Sequence, residues 1–214
     1  MIDLLVGILL LVSSTLPFDV LVDKDHPLPA DYNPGINSEA GYRLNLMIEA
    51  AEADGYEVVV VSGFRSYDYQ AAIHEKECSW NTRCKDFSME AGRSEHQLGT
   101  TFDLATEPTR SPDYGPNHQL WRWLKEHAHE FGFVESYPFK RCDEPPYSNL
   151  GLAACGVELA WEPWHWRFVG LELAQEIHEA EYLDPDSSVI PQDFYRIYPA
   201  ETRENEPATL YRPK

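Results

Sequence analysis

Basic residues are scarce in this chain of 214 residues: 17 lysines and arginines face 36 aspartates and glutamates, a formal net charge of −19 at pH 7. That shortage excludes an electrostatic nucleic-acid binder, which needs a basic face to displace counterions from phosphate. It equally excludes docking by charge on anionic lipid. Long apolar runs are lacking too: Leu4–Val12 is nine residues long, where a helix that spans a bilayer takes about 20. Cysteine is limited to Cys78, Cys84, Cys142 and Cys155, with no CxxC pair and the inner two 58 positions apart, a poor spacing for structural zinc. Neither an internal repeat nor a low-complexity tract occurs. The 43% hydrophobic and 13% aromatic content excludes intrinsic disorder. The length fits one domain able to bury a sizeable core.

Leu4–Val12 suits the apolar stretch of a signal peptide, although the residues ahead of it hold only Asp3 and no Lys or Arg. The alternative is a buried first strand or an apolar extension packed on the domain. Residues 1–18 are therefore read as a leader giving export or membrane association, residues 19–183 as the domain, and residues 184–214, with five prolines and many charges, as an extended acidic tail. Four cysteines in an exported chain suggest disulfides, and the sequence-local pairing is Cys78–Cys84 with Cys142–Cys155. Free thiols in a cytosolic protein are the alternative.

Within the domain, Ser38 starts a helical pattern carried by Leu44, Met47, Ile48 and Ala51, and Gly55 ends it. Glu57–Ser62 is a β-branched run that predicts a buried strand. Ser66 can cap a helix from Tyr67 to about Glu77. Thr100–Ala105 reads as a strand, His118–Phe131 as a helix stopped by Gly132, Phe133–Glu135 as a strand, Val157–Arg167 as strand-like, and Leu171–Tyr182 as a last helix. Strands and helices mix without a steady βαβ rhythm. That predicts an α+β fold with a small, mostly antiparallel sheet flanked by helices.

Two of the eight histidines keep unusual company. In Ser94-Glu95-His96-Gln97-Leu98-Gly99-Thr100-Thr101-Phe102-Asp103, His96 and Asp103 can converge if the histidine lies on a loop and the aspartate on the strand after it, with Gly99 turning the backbone between them. Imidazole and carboxylate are both good zinc ligands. In Trp161-Glu162-Pro163-Trp164-His165-Trp166, a carboxylate among tryptophans needs a partner, and beside a metal it makes a good general base. Taken together, the two stretches offer two His, one Asp and a spare Glu. Three protein ligands with a fourth position left for water characterise a catalytic zinc rather than a structural one. Arg65, at a strand-to-helix turn in Ser62-Gly63-Phe64-Arg65-Ser66, is a bidentate partner for a carboxylate or oxyanion.

These stretches resemble the VanY-type D-alanyl-D-alanine carboxypeptidases, of the zinc-peptidase group that includes lysostaphin-type enzymes and the hedgehog zinc domain. The matching segments are DKDHPLPADYNP at 23–34, SGFRSYDYQ at 62–70, SEHQLGTTFDL at 94–104 and EPWHWRFVG at 162–170. The SxHxxGxxxD and ExxH patterns stand in the family's order, and the match covers about residues 20–183. The resemblance implies a hedgehog-like fold with its zinc site in a cleft on the sheet. It implies one zinc ion on His96, Asp103 and His165, Glu162 as the base, Arg65 on the scissile carbonyl or the substrate, and Gln70 and Ser94 in the substrate pocket. Trp164, beside Glu162, is a further substrate-binding candidate. Thr101 stands where the family has Ala, which predicts altered packing rather than lost activity.

The expected activity is that of an exported, monomeric zinc carboxypeptidase acting outside the cytoplasm. It would remove the terminal D-Ala of peptidoglycan stem peptides. An endopeptidase of the same group is the nearer alternative. A non-catalytic zinc or wall-binding module is the more distant one, disfavoured because such a site needs neither Glu162 nor Arg65.

Overall fold

A computed structural model describes residues 16–82, 84–86, 88–106, 116–138, 161–183, 190–197 and 209–210. The chain folds as an α+β unit around a four-stranded, wholly antiparallel sheet of order β1-β2-β4-β3. The strands are β1 (Val59–Ser62), β2 (Thr101–Ala105), β3 (Phe133–Glu135) and β4 (His165–Phe168). Helices α1 (Ser38–Ala53), α2 (Tyr67–Cys78), α3 (Pro116–His127) and α4 (Leu171–Leu183) surround it. Asn37 caps α1 by accepting from Glu39 N and Ala40 N, and Ser66 caps α2 by accepting from Tyr69 N. Both act as side-chain acceptors for the orphan amides of a first turn.

The two central strands are buried along their whole length, and alternation sorts their side chains. Phe102 and Leu104 of β2, with Trp166 and Phe168 of β4, join Leu44 and Met47 of α1 and Leu120 and Leu124 of α3 in the main core. The residues between them, Thr101, Asp103, His165 and Arg167, point to the opposite face and are also buried. That face carries the chemistry. The register places Ser62 opposite Asp103 and Asp103 opposite His165, so three strands contribute to one row across the sheet. A slip of one residue would turn this row into the core.

Several local expectations are corrected. The strand predicted over Val157–Arg167 begins only at His165; Glu162 to Trp164 form a turn, and residues 157–160 lie outside the described residues. Pro163 has no amide to give a ladder, which forces the turn. The Glu57–Ser62 run yields an edge strand rather than a buried one, and Val60 is 42% exposed. Helix α3 ends at His127 and tightens into a 3-10 turn, Ala128–Phe131, before Gly132 stops it at φ 88°. Within the segment read as a tail, Pro191–Phe194 form a turn and Tyr195 is fully buried. Arg196–Ile197 (β5) pairs with Thr209–Leu210 (β6). Leu21 N donates to Arg196 O (2.8 Å), tying this segment to the start of the domain. The structure joins Cys78 to Cys84; Cys142, Cys155 and the Leu4–Val12 run lie outside the described residues. Among those described, no helix is long and apolar enough to cross a membrane.

Gly99 is the hinge between the His96 turn and β2. Its φ is 76°, its carbonyl accepts from Asn37 N (2.9 Å), and a Cβ there would overlap the carbonyl oxygen of Gly35. Gly99→Ala is expected to cost at least the roughly 1–3 kcal/mol of a strained backbone position, read as a lower denaturation midpoint. A midpoint equal to that of the unsubstituted chain would contradict this account of the turn.

Candidate metal centre and catalytic cleft

His96 sits in the 3-10 turn Glu95–Leu98, which delivers it to the polar face of the sheet just ahead of β2. Its Nδ1 donates to the carbonyl of Gly63 (2.7 Å). A carbonyl only accepts, so the proton is on Nδ1 and the lone pair of Nε2 is free to face Asp103 Oδ1, 3.2 Å away. His165 on β4 is oriented in the same way from the other side: its Nε2 meets Glu95 Oε2 (3.1 Å), which leaves Nδ1 turned toward Asp103 Oδ1 at 3.6 Å. The two rings stand edge to face, centroids 4.9 Å apart.

The donor set fits a metal. One atom each from His96, Asp103 and His165 lie within 4.8 Å of one another, and all three residues are buried. Bonds of about 2.0–2.2 Å in a tetrahedron put neighbouring ligand atoms roughly 3.3–3.6 Å apart, close to the nitrogen–oxygen separations of 3.2 and 3.6 Å here. Outer partners that fix the tautomer, Gly63 for one ring and Glu95 for the other, are what metal-binding histidines generally have.

Glu95 and Arg167 were not singled out in the sequence, yet they hold the centre together. Glu95 Oε1 accepts from Arg167 Nη1 (2.7 Å), and both side chains are 0% exposed. Arg167 also donates to the carbonyls of Phe18 (2.8 Å) and Val20, and its guanidinium lies 4.2 Å over the ring of Tyr195. The available signal was positional: Glu95 adjoins His96, and Arg167 follows His165 by two, on the same strand face. Tyr137 was missed as well. It is buried with its ring 4.8 Å from that of His165, and it lines the cleft.

The remaining candidates converge on the same place. Glu162 Oε2 is 3.3 Å from His165 Nδ1, and its backbone N donates to Tyr137 O (3.1 Å), which pins the turn before β4. Arg65 donates from Nη2 to Asp103 Oδ2 (2.7 Å), from Nε to Ser62 Oγ (2.9 Å) and from Nη1 to Gln70 Oε1 (3.4 Å). Gln70 is buried and donates in turn to Met89 O (2.7 Å). Ser94 is buried, Trp164 is half-buried, and both line a cleft of about 450 Å³ that holds the His–Asp–His group, Glu162 and Arg65. A larger depression of about 1100 Å³, flanked by Phe18, Leu171 and Phe194, is lined by no His or Cys among the described residues and offers no comparable chemistry. Thr101 is fully buried beside the centre, and its hydroxyl meets no hydrogen-bond partner among the described residues.

Charge in the centre is tuned by burial against close partners. Burial opposes ionisation of Glu95, but Arg167 and His165 outweigh it and bring the carboxyl down to about 2. Asp103 is likewise buried and is held well below the usual carboxylate range by His96, His165 and Arg65. Burial lowers His96, keeping it neutral. Burial also opposes charge on His165, yet Glu162 and Glu95 overcome it and raise the imidazole to about 9. Burial raises Glu162, with His165 acting against the shift. The pocket therefore attracts a cation, whether a proton or a metal ion.

A family model described as VanY, D-alanyl-D-alanine carboxypeptidase, matches residues 33–171. The YodJ protein of Bacillus subtilis is 30% identical over 185 residues, covering 74% of this chain and 62% of that protein, so the chain spans less than two thirds of its relative. Among solved structures, the LdcB LD-carboxypeptidase superposes with a TM-score of 0.59 at 32% identity, covering 75% of this chain and 79% of that one. The vancomycin-resistance D,D-pentapeptidase VanY from a VanB-type cassette, solved in complex with Zn(II), gives a TM-score of 0.59 at 26% identity, covering 78% and 98%.

Metal binding should release protons. With its pKa raised to about 9, His165 is an imidazolium at pH 7 in the metal-free protein, and a ligand must be neutral. Zinc binding at pH 7 is expected to expel close to one proton. Apparent affinity should climb about tenfold per pH unit from 7 and level off above 9. Calorimetric titrations in two buffers of different protonation enthalpy measure the count; a count of zero at pH 7 would show His165 to be neutral already.

Proposed function

Since the chain belongs to the VanY family of D-alanyl-D-alanine carboxypeptidases, we propose that it is a zinc carboxypeptidase that removes the terminal D-Ala from peptidoglycan stem peptides. The observation that carries this reading is the meeting of His96, Asp103, His165, Glu162 and Arg65 in one cleft, from three separate stretches of sequence. His96, Asp103 and His165 would hold one zinc ion. Bound there, zinc supplies Lewis acidity, acidifying a water and polarising a carbonyl.

The chain's own groups divide the remaining work. Glu162, within 3.3 Å of a proposed ligand and with its pKa raised by burial, takes the proton of the attacking water and passes it to the departing amine. Arg65 is anchored by Ser62, Gln70 and Asp103. Its planar fork, aimed along the Asp103 edge of the cleft, stabilises the oxyanion that forms on the scissile carbonyl. Gln70, Ser94 and Trp164 form the wall against which the peptide lies. Action outside the cytoplasm, on the cell envelope, accords with a peptidoglycan substrate.

The neighbour of 32% identity is an LD-carboxypeptidase, which supports a second reading in which a tetrapeptide stem is the substrate. Mass spectrometry of tetra- and pentapeptide stems after incubation with the zinc-loaded protein separates the readings. A pentapeptide shortened by one D-Ala supports the first, and a tetrapeptide shortened by its last residue supports the second. Cleavage within the stem makes the chain an endopeptidase, and intact peptides make it a binding module.

Two predictions test the division of roles. His96→Ala and His165→Ala are expected to lose zinc, whereas Glu162→Ala keeps it and loses at least about 10²–10⁴-fold in rate; elemental analysis finding Glu162→Ala zinc-free would reverse the assignment. Arg65→Lys keeps the charge but loses the fork, so kcat is expected to fall on the order of 10²-fold or more. A rise confined to KM would instead mean that Arg65 grips substrate and transition state alike.

A further inference from the structure

At the end of α2, His74 and Cys78 stand one helical turn apart on one face, and Cys84 opens the short turn Cys84–Asp86 that follows. The ring nitrogens of His74 and the two sulfurs supply three potential ligand atoms within 4.8 Å of one another. None of these residues belongs to the centre described above. His74 Nδ1 donates to the carbonyl of Ser88 (3.0 Å). A carbonyl has no proton to give, so the neutral ring keeps its hydrogen on Nδ1 and leaves a lone pair on Nε2; Cys78 Sγ sits beside the ring, 3.5 Å from Nε2 and 4.0 Å from Nδ1. While Cys78 is bonded to Cys84, its sulfur has neither proton nor charge to offer the ring.

We propose that His74, Cys78 and Cys84 form a second, redox-gated site for a thiophilic divalent cation such as zinc, closed by the disulfide and opened by its reduction. Two electrons and two protons from a thiol reductant break the sulfur–sulfur bond and give two thiols; the reductant leaves as its own disulfide. The incoming cation then displaces both thiol protons to solvent and is held by two thiolates and His74 Nε2, with a fourth position left to water. Zinc–sulfur bonds of about 2.3 Å and zinc–nitrogen bonds of about 2.0–2.1 Å place nitrogen and sulfur roughly 3.5 Å apart in a tetrahedron, the spacing that His74 Nε2 and Cys78 Sγ already have. The sulfurs, once released, separate to the roughly 3.8 Å that the same geometry asks of two thiolates. The Ser88 carbonyl does for His74 what Gly63 does for His96: it fixes the tautomer and the ring orientation.

The position of this site gives it reach. Ser88 N donates to Cys84 O (2.8 Å), Gln70 reaches the neighbouring Met89 O, and Ser88 and Met89 both line the cleft. The disulfide and the metal are thus alternative fasteners for the same piece of cleft wall.

Cobalt(II) tests the proposal without reference to enzymatic activity, because a cobalt–thiolate bond produces a sulfur-to-metal charge-transfer band in the near ultraviolet and the His96–Asp103–His165 centre has no sulfur. The full chain is titrated with cobalt before and after treatment with a phosphine reductant. The oxidised chain is expected to show no such band. The reduced chain should show it together with one more bound ion per chain. The band should vanish in Cys78→Ser/Cys84→Ser, persist in Cys142→Ser/Cys155→Ser, and need at least about tenfold more cobalt in His74→Ala. The oxidised form of each variant, by binding cobalt at the sulfur-free centre, reports that its fold is intact. Absence of the band in the reduced chain overturns the proposal. So does its survival in Cys78→Ser/Cys84→Ser, or a His74→Ala titration identical to that of the unsubstituted chain.

Discussion

A buried arginine–glutamate pair is the constraint on which the catalytic geometry depends. Arg167 and Glu95 are both sealed from solvent, and neither could be there alone: an unpaired buried charge costs several kcal/mol. The pair therefore fixes what surrounds it. Arg167 draws the carbonyls of Phe18 and Val20 inward and stacks under Tyr195, which fastens the start of the domain and the segment after α4 to the central strand. Glu95 spends its second oxygen on His165. One chain of contacts thus runs from the periphery of the fold to the ring of a proposed ligand, and the imidazole points where its support points.

Arg65 complicates a simple picture of an electrophile waiting for substrate. Its shortest contact is with the outer oxygen of Asp103, a proposed metal ligand. That contact withdraws charge from the carboxylate and, with His96 and His165, keeps it ionised. It also ties the orientation of the guanidinium to that of the metal site. The side chain is therefore a neighbour of the proposed ligand set, and its bond to Ser62 Oγ ties it to the same strand row.

The sequence exposed much of this, unevenly. Hydrophobic period placed α1 close to its observed bounds, because Leu44 and Met47 face a core and their spacing follows the geometry of that face, and the Ser66 cap placed the start of α2. The grouping of His96, Asp103, Glu162 and His165 was legible because a zinc centre with a general base takes those residue types, and the structure brings the four into one cleft. The rest depended on partners far along the chain. Val60 reads as a buried residue until the strand order puts β1 at an edge. Arg167 reads as an exposed cation at the end of a strand until Glu95, 72 residues away, is found against it. Pro163 was a local signal that could have shortened the predicted strand, and the apolar run around it masked the signal.

The row Ser62–Asp103–His165 joins residues 41 and 62 positions apart in the chain, brought together only by strand pairing. Contacts of such sequence separation form late, since each demands closure of a long loop before it gives anything back. Among the described residues no single helix or hairpin contains all three proposed ligands, so a metal ion held by them has no complete site until β4 has docked between β2 and β3. The ion cannot act as the seed of folding, as it does in small domains that are unstructured without it. It is a passenger of the finished sheet, and the supply of metal sets how much of the folded population is armed rather than how fast the chain reaches its fold.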